Sequence, residues 1–148
     1  LFPSTTLFRS GYGLPSSLAA QLPHPDRPSF CLASDGCFLM HGQEFATAVQ
    51  YGVNIIVIVV NNGMFGTIRM HQERNYPGRV SGTQLHNPDF AAYAVAFGGH
   101  GETVTKTVHF GPAFERAMNS GKPSIIEVQV DPQALTPIKT LDQIRAGS

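Results

Sequence analysis

Two stretches of the 148-residue sequence carry side chains suited to a hard cation and a phosphorylated ligand. Asp35-Gly36 follows the short apolar segment 29–33. Asn61-Asn62-Gly63 follows the run 54–60, NIIVIVV. Asp35 offers an anionic oxygen and Asn62 a neutral amide oxygen. Magnesium takes octahedral oxygen coordination and is commonly held by one or two protein side chains together with substrate phosphates. Two side-chain oxygens, a backbone carbonyl, phosphate oxygens and water would complete that shell. Gly36 lets backbone approach a phosphate closely, and a helix starting near Cys37 or Phe38 would point its N–H groups to the same place. Taken singly, Asp35 reads as a turn or helix cap and Asn61-Asn62-Gly63 as a turn. Their pairing at the ends of two strands is what points to a cofactor.

Those strands follow from the apolar patterning. Residues 54–60 are short, β-branched and apolar without alternation, as a central strand buried on both faces of a parallel sheet requires. Segments 29–33, 101–104 and 124–130 read as further strands. Helices are expected over 14–22, 38–51, 66–74 and 112–119. Phe38, Gly42, Phe45 and Val49 share one face of the second, and Gly42 there permits close approach of a neighbour. Asn87-Pro88-Asp89 reads as a helix start with Asn87 as N-cap and Pro88 in the first turn, leading into Phe90, Ala94 and Phe97. Gly98-Gly99 and Gly121 stop the helices before them. The tail after Asp131 is polar and is expected on the surface or against a partner. Alternating elements of this kind imply an α/β fold with an open, mostly parallel sheet flanked by helices. Such sheets bind ligands beyond the carboxyl ends of their strands, where Asp35 and Asn62 stand.

Asp35-Gly36, a spacer of 24 residues from Cys37 to Val60, and Asn61-Asn62 resemble the thiamine-diphosphate signature GDG-x(24–27)-NN. Gly11-Tyr12-Gly13-Leu14-Pro15 is similar to the segment such enzymes carry upstream of it. Asp35–Met40, Gly42-Gln43-Glu44-Phe45 and Ile125-Ile126-Glu127-Val128 are similar to flanking parts of the same domain. The resemblance spans about residues 11–146 and is to acetolactate synthase large subunits and similar 2-oxo-acid enzymes. It implies the thiamine-diphosphate-binding fold, with thiamine diphosphate and Mg²⁺ as cofactors. Asp35, Asn62 and the backbone carbonyl of Met64 would be the metal ligands. Gly11, Tyr12, Gly13, Gly36, Cys37 and the 63–66 segment, including Phe65 and Gly66, would lie against the cofactor. Ile68 and His71 would border the substrate channel. The implied activity of the full-length protein is decarboxylation of a small 2-oxo acid with carboligation. The alternatives are a 2-oxo-acid decarboxylase, a 2-hydroxyacyl-CoA lyase or a non-catalytic relative that binds cofactor. Homodimeric or homotetrameric assembly is expected.

The sequence departs from that family in three places. Ser34 replaces the first signature glycine, which would cost about 1 kcal/mol or more if the position needs positive φ and nothing otherwise. The residue upstream of Gly11, where the family has an apolar side chain, is Ser10. The activating glutamate belongs to a separate domain, so Glu44, Glu73 and Glu102 are not assigned its role, and the 148-residue chain alone is expected to be inactive. Residues 1–10 resemble a translated sequencing adapter, so the natural sequence is expected to begin near Gly11 as part of a longer multi-domain chain.

Composition bounds the remainder. Hydrophobic residues make up 42% and charged residues 14%, against roughly 25% charged in soluble domains. This excludes disorder and leaves few groups to solvate a monomer, so some faces are expected to bury against sister domains or a second subunit. Zero net charge argues against nucleic-acid or anionic-membrane partners. The run at 55–60 is too short to span a bilayer. The two cysteines make neither a disulfide framework nor a four-ligand zinc site. The N-terminus lacks a signal-peptide pattern, which makes a reducing, cytoplasmic setting the default expectation. Arg69 and Arg74 are expected to be solvated. His41 and His71 are assigned to ordinary surface or core positions. Cys37, at a helix N-terminus, is read as a backbone contact rather than a nucleophile.

Overall fold

In the computed structural model, residues 10–147 are described. Nine of the ten residues read as adapter-derived, 1–9, lie outside that range. Four strands, β1 (Phe30–Ser34), β2 (Ile56–Asn61), β3 (His100–Val104) and β4 (Ser124–Gln129), form one sheet in the order β1-β2-β4-β3. Every neighbouring pair is parallel. The crossovers carry α1 (Gly13–Gln21), α2 (Asp35–His41), α3 (Phe45–Gln50), α4 (Gly66–Asn75), α5 (Phe90–Ala96), α6 (Phe110–Asn119) and α7 (Leu141–Arg145), with α1 ahead of β1 and α7 after β4. This is the expected α/β architecture.

The unalternating apolar run of β2 is explained by burial on two sides. Val57 and Val59 enter a cluster with Leu14, Leu18, Phe38, Phe45, Phe90 and Ala94. Ile56 and Ile58 face the other way, onto Val104, Ala113, Ala117 and Ile126. Helices α1, α2, α3 and α5 therefore cover one face of the sheet and α6 the other. Burying side chains of this size contributes roughly 1.5–3 kcal/mol each, and the two clusters meet through β2.

Several local expectations are corrected. The helix assigned to 38–51 begins at Asp35 and is interrupted by a 3₁₀ turn at Gly42–Glu44. Gly42 does serve close approach, but of Phe38 within the same segment: a Cβ there would stand 2.8 Å from the Phe38 ring. Asn87 is not the N-cap of α5. Asp89 holds that position and accepts from the Ala92 N–H at 2.8 Å. With Asp89 as the cap, Pro88 stands outside the helix and Asn87 is released for another use. The polar tail folds back as α7, whose capping box joins Thr140 and Gln143 and whose Leu141 and Ile144 are buried. Arg69 is buried rather than solvated: it and Arg145 of α7 both reach Glu73, which ties the tail to α4.

Apolar surface remains exposed along β1 and beyond the sheet. Leu32 is 73% exposed and Ile138 is 87% exposed. Among the described residues β1 is an edge strand. A groove of about 780 Å³ runs beside it between α1 and the start of α2. Among the described residues no helix is long and apolar enough to cross a membrane.

Candidate functional site

The parallel register sets the site. Ser34 lies beside Val60, so the next residues of β1 and β2 leave the sheet side by side at its carboxyl edge. Asp35 opens α2 there and is fully buried. Its Oδ1 accepts from the Gly36 N–H at 2.8 Å. Its Oδ2 accepts from the Gly63 N–H at 2.9 Å and from Asn87 Nδ2 at 2.8 Å. The carboxylate thus bridges the 61–63 turn and the loop before α5, joining segments 28 and 52 residues away. Gly63 has φ +69°, a conformation that glycine adopts without steric cost. Its N–H also meets Asn61 Oδ1, at 3.1 Å.

Asn62 accepts from the Met64 N–H through Oδ1 at 3.1 Å, which leaves that oxygen a second lone pair. Met64 forms an antiparallel bridge with Gln84. The hydrogen bonds flanking it run from Leu85 N–H to Gly63 O and from Phe65 N–H to Thr83 O, each 2.9 Å. Neither uses the Met64 carbonyl. Gly66 is held open by the amide of Asn62: a Cβ on Gly66 would stand 2.8 Å from Asn62 Nδ2 and 3.0 Å from Leu135. Over Gly36 lies the Phe65 ring, whose nearest carbon would be 2.5 Å from a Cβ at that position. The missing side chain of Gly36 therefore admits Phe65 as a direct neighbour.

The structure draws Asp35, Gly36, Asn62, Phe65 and Gly66 together, with Met64 on the same turn. The other expected cofactor residues form a second group at the start of α1, against Met40 and His41 of α2 and Cys31 of β1. Gly11, with φ +80°, packs against Met40 and His41, and Tyr12 is half-exposed ahead of α1. Gly13 sits against Cys31. Burial alone would raise the Cys37 thiol. Hydrogen bonds with Ser34 and Ser10 and with the backbone of Gly11 and Ser34 outweigh it, and Cys37 lies below the ordinary thiol value. Burial pushes Cys31 up to about 11. Both cysteines are free thiols. His41, Ile68 and His71 are all exposed.

Ser34 adopts φ −73°, so the position does not require glycine. The serine caps α2 instead, its Oγ accepting from Cys37 N–H at 3.3 Å. The first two N–H groups expected to meet a phosphate are thus both engaged, Gly36 with Asp35 and Cys37 with Ser34. The second bond is long and is the easier to exchange. Of the carboxylates set aside, Glu73 is claimed by Arg69 and Arg145, and Glu102 by Arg116 and His100. Neither is free for acid–base work.

Two residues of the site gave no functional signal in sequence. Asn87 sends its amide to both Asp35 Oδ2 and Asn61 Oδ1, each 2.8 Å away. Glu127 of β4 is 3% exposed and accepts from Asn61 Nδ2 at 2.6 Å and from Thr103 Oγ1 at 3.1 Å. Among the described residues, Asn87 Oδ1 is one of two buried side-chain acceptors without a hydrogen-bond partner. No group of three or more His, Cys, Asp or Glu that could hold a metal occurs among the described residues. The available donors are one carboxylate, one amide oxygen and a main-chain carbonyl. That set suits a hard cation such as Mg²⁺, which keeps other positions for phosphate and water.

Comparison with known proteins identifies the family. Residues 1–128 match the family described as thiamine pyrophosphate enzyme, C-terminal TPP binding domain. The chain is 36% identical over 129 residues to the acetolactate synthase large subunit of Parasynechococcus marenigrum (strain WH8102), covering 86% of this chain and 21% of that protein. Against the acetolactate synthase isozyme 2 large subunit of Escherichia coli (strain K12) the identity is 33% over 129 residues, covering 86% and 24%. A solved structure, the thiamine diphosphate-dependent 4-hydroxybenzoylformate decarboxylase of Rhodococcus jostii RHA1, superposes with a TM-score of 0.75 at 31% identity, covering 82% of this chain and 23% of that one. The chain thus spans about a fifth to a quarter of the length of these relatives. Fold and sequence agree, and the chain belongs to the C-terminal thiamine pyrophosphate-binding domain family of the thiamine pyrophosphate enzymes.

Proposed function

We propose that this domain anchors Mg²⁺ and the diphosphate of thiamine diphosphate in a larger enzyme that decarboxylates a small 2-oxo acid and joins the product to a second carbonyl, as acetolactate synthase does. The observation that supports it most is the buried Asp35 carboxylate bonded to Gly63 N–H, which sets the two halves of the signature against each other. In this reading Asp35 and Asn62 supply side-chain oxygens to the metal and Met64 its carbonyl. Gly36, Cys37 and the 63–66 segment meet the diphosphate, with Phe65 and Gly66 shaping its floor. Gly11, Tyr12 and Gly13 meet the cofactor from the start of α1. Bound thiamine diphosphate supplies the electron sink for decarboxylation and carbon–carbon bond formation. The domain binds, orients and neutralises charge, and the activating glutamate comes from another domain of a homodimer or homotetramer. The exposed Leu32 and the groove along β1 fit a chain whose remaining domains cover that edge.

Incubating the full-length protein with pyruvate, thiamine diphosphate and Mg²⁺ tests the reading. Acetolactate is the expected product. Acetaldehyde alone would assign the protein to the decarboxylases, and no turnover with intact cofactor binding would assign it to the non-catalytic relatives. The 148-residue chain alone is expected to show no turnover. Residues 1–10 are read as adapter-derived, and sequencing the source locus through codons 1–11 checks this: uninterrupted reads would contradict it.

A further inference from the structure

We propose that Asn87 is a positioning residue that dictates which oxygen of Asp35 meets the metal. The proposal rests on the reading of Asp35 as a magnesium ligand. An ionised carboxylate has about four lone-pair sites, two on each oxygen. On Asp35, Oδ2 has both occupied, by the Gly63 N–H at 2.9 Å and Asn87 Nδ2 at 2.8 Å. Oδ1 accepts only the Gly36 N–H, at 2.8 Å, and keeps one site open. A cation therefore meets Asp35 through Oδ1 alone.

Asn87 is itself fixed from several directions. An amide nitrogen has two N–H groups, and both are spent, one on Asp35 and one on Asn61 Oδ1 at 2.8 Å. Asn61 is pinned from behind by Glu127, which Thr103 holds in turn. Since both neighbours of Nδ2 are acceptors, the amide can point only this way. Asn87 precedes Pro88, which biases its backbone to the extended region, and Asp89 starts α5 immediately afterwards. Oδ1 of Asn87 is left buried and unpartnered. Magnesium demands near-ideal octahedral geometry with few protein ligands, whereas calcium accepts bidentate carboxylates and flexible shells. Restricting Asp35 to one oxygen thus favours magnesium, and freeing Oδ2 would favour calcium.

The test is a metal titration of the full-length protein at saturating thiamine diphosphate. Dissociation constants for Mg²⁺ and Ca²⁺ are measured by calorimetry on wild type, Asn87→Ala, Asn87→Leu and Asp35→Ala. Loss of an outer partner of a metal ligand typically weakens the metal by about 10–100-fold. Both Asn87 variants are expected to weaken Mg²⁺ at least about tenfold and Ca²⁺ less than about threefold, with the unfolding transition of the metal-free protein retained. Asp35→Ala is expected to lose both metals. If Asp35→Ala binds metal like wild type, the magnesium-anchor reading itself fails and takes the proposal with it. If Asp35→Ala loses metal but the Asn87 variants keep wild-type Mg²⁺ affinity, or weaken both ions equally, the proposal is overturned and the anchor reading stands. Loss of the metal-free unfolding transition in both Asn87 variants would assign Asn87 to the fold and also overturn it.

Discussion

Asn61 donates its side-chain amide to Glu127 Oε1 at 2.6 Å, joining the last residue of β2 to the neighbouring strand β4. The pair lies beneath the turn that carries Asn62 and Gly63. It makes the 61–63 backbone an extension of the sheet rather than a free loop, and Thr103 extends the chain of contacts to β3.

Removing the acid should therefore be felt in stability. Glu127→Ala leaves the Asn61 amide and the Thr103 hydroxyl without their acceptor in a buried setting. Leaving a buried donor without its partner costs roughly 1–3 kcal/mol, so a loss of about 2 kcal/mol in the free energy of unfolding is expected. Thr103→Val removes only one of the two donors and should cost about 1 kcal/mol. Urea unfolding of the two variants checks the order.

Ser34→Gly restores the residue that the signature carries. Because Ser34 has φ −73° and its side chain caps the helix, glycine relieves no strain. Replacing a capping serine by glycine costs a few tenths of a kcal/mol, against about 1 kcal/mol for alanine. The same change removes the competitor for the Cys37 N–H, so thiamine diphosphate affinity is expected to be equal to or tighter than wild type. Thermal unfolding and cofactor titration read the two effects separately, and weaker cofactor binding would contradict the assignment of that N–H to the phosphate.

The Glu73 cluster predicts an acid-limb effect. A hydrogen bond from Arg145, the Gly78 N–H and Arg69 outweigh burial and hold Glu73 down to about 2. In the unfolded chain it titrates near its ordinary value of about 4.3. A carboxyl depressed on folding stabilises fully above the unfolded value, and that stability is lost as pH falls through the folded one. Wild type should therefore exceed Glu73→Gln in melting temperature at neutral pH, and the gap should narrow between about pH 4.5 and pH 2. A pH-independent gap would show that the α4–α7 contact does not rest on this charge.

The legible parts of the sequence were those where one physical cause acts alone. Ile56–Asn61 could be read as a central strand because burial on both faces removes alternation. Asp35 and Asn62 could be read because residue type, spacing and strand ends coincide. Asn87 could not, because Asn-Pro-Asp satisfies the rules for a helix start twice over, and only the fold decides that Asp89 takes the cap. Glu127 reads as one polar residue in an apolar strand; its partner Asn61 lies 66 residues away. Thr140 and Gln143 carried a capping-box signal that the polar character of the tail obscured. Arg69 has the composition of a surface residue, and its burial depends on a glutamate one turn along and an arginine from α7.

The central claim is that Asp35 and Asn62 together hold the metal that anchors the cofactor diphosphate. Its most direct test is titration of the full-length protein with thiamine diphosphate at saturating Mg²⁺, comparing wild type with Asp35→Ala/Asn62→Ala. Loss of saturable, Mg²⁺-dependent binding in the double variant, with its unfolding transition still cooperative, is the expected result. Binding of wild-type affinity and metal dependence in the double variant would contradict the account.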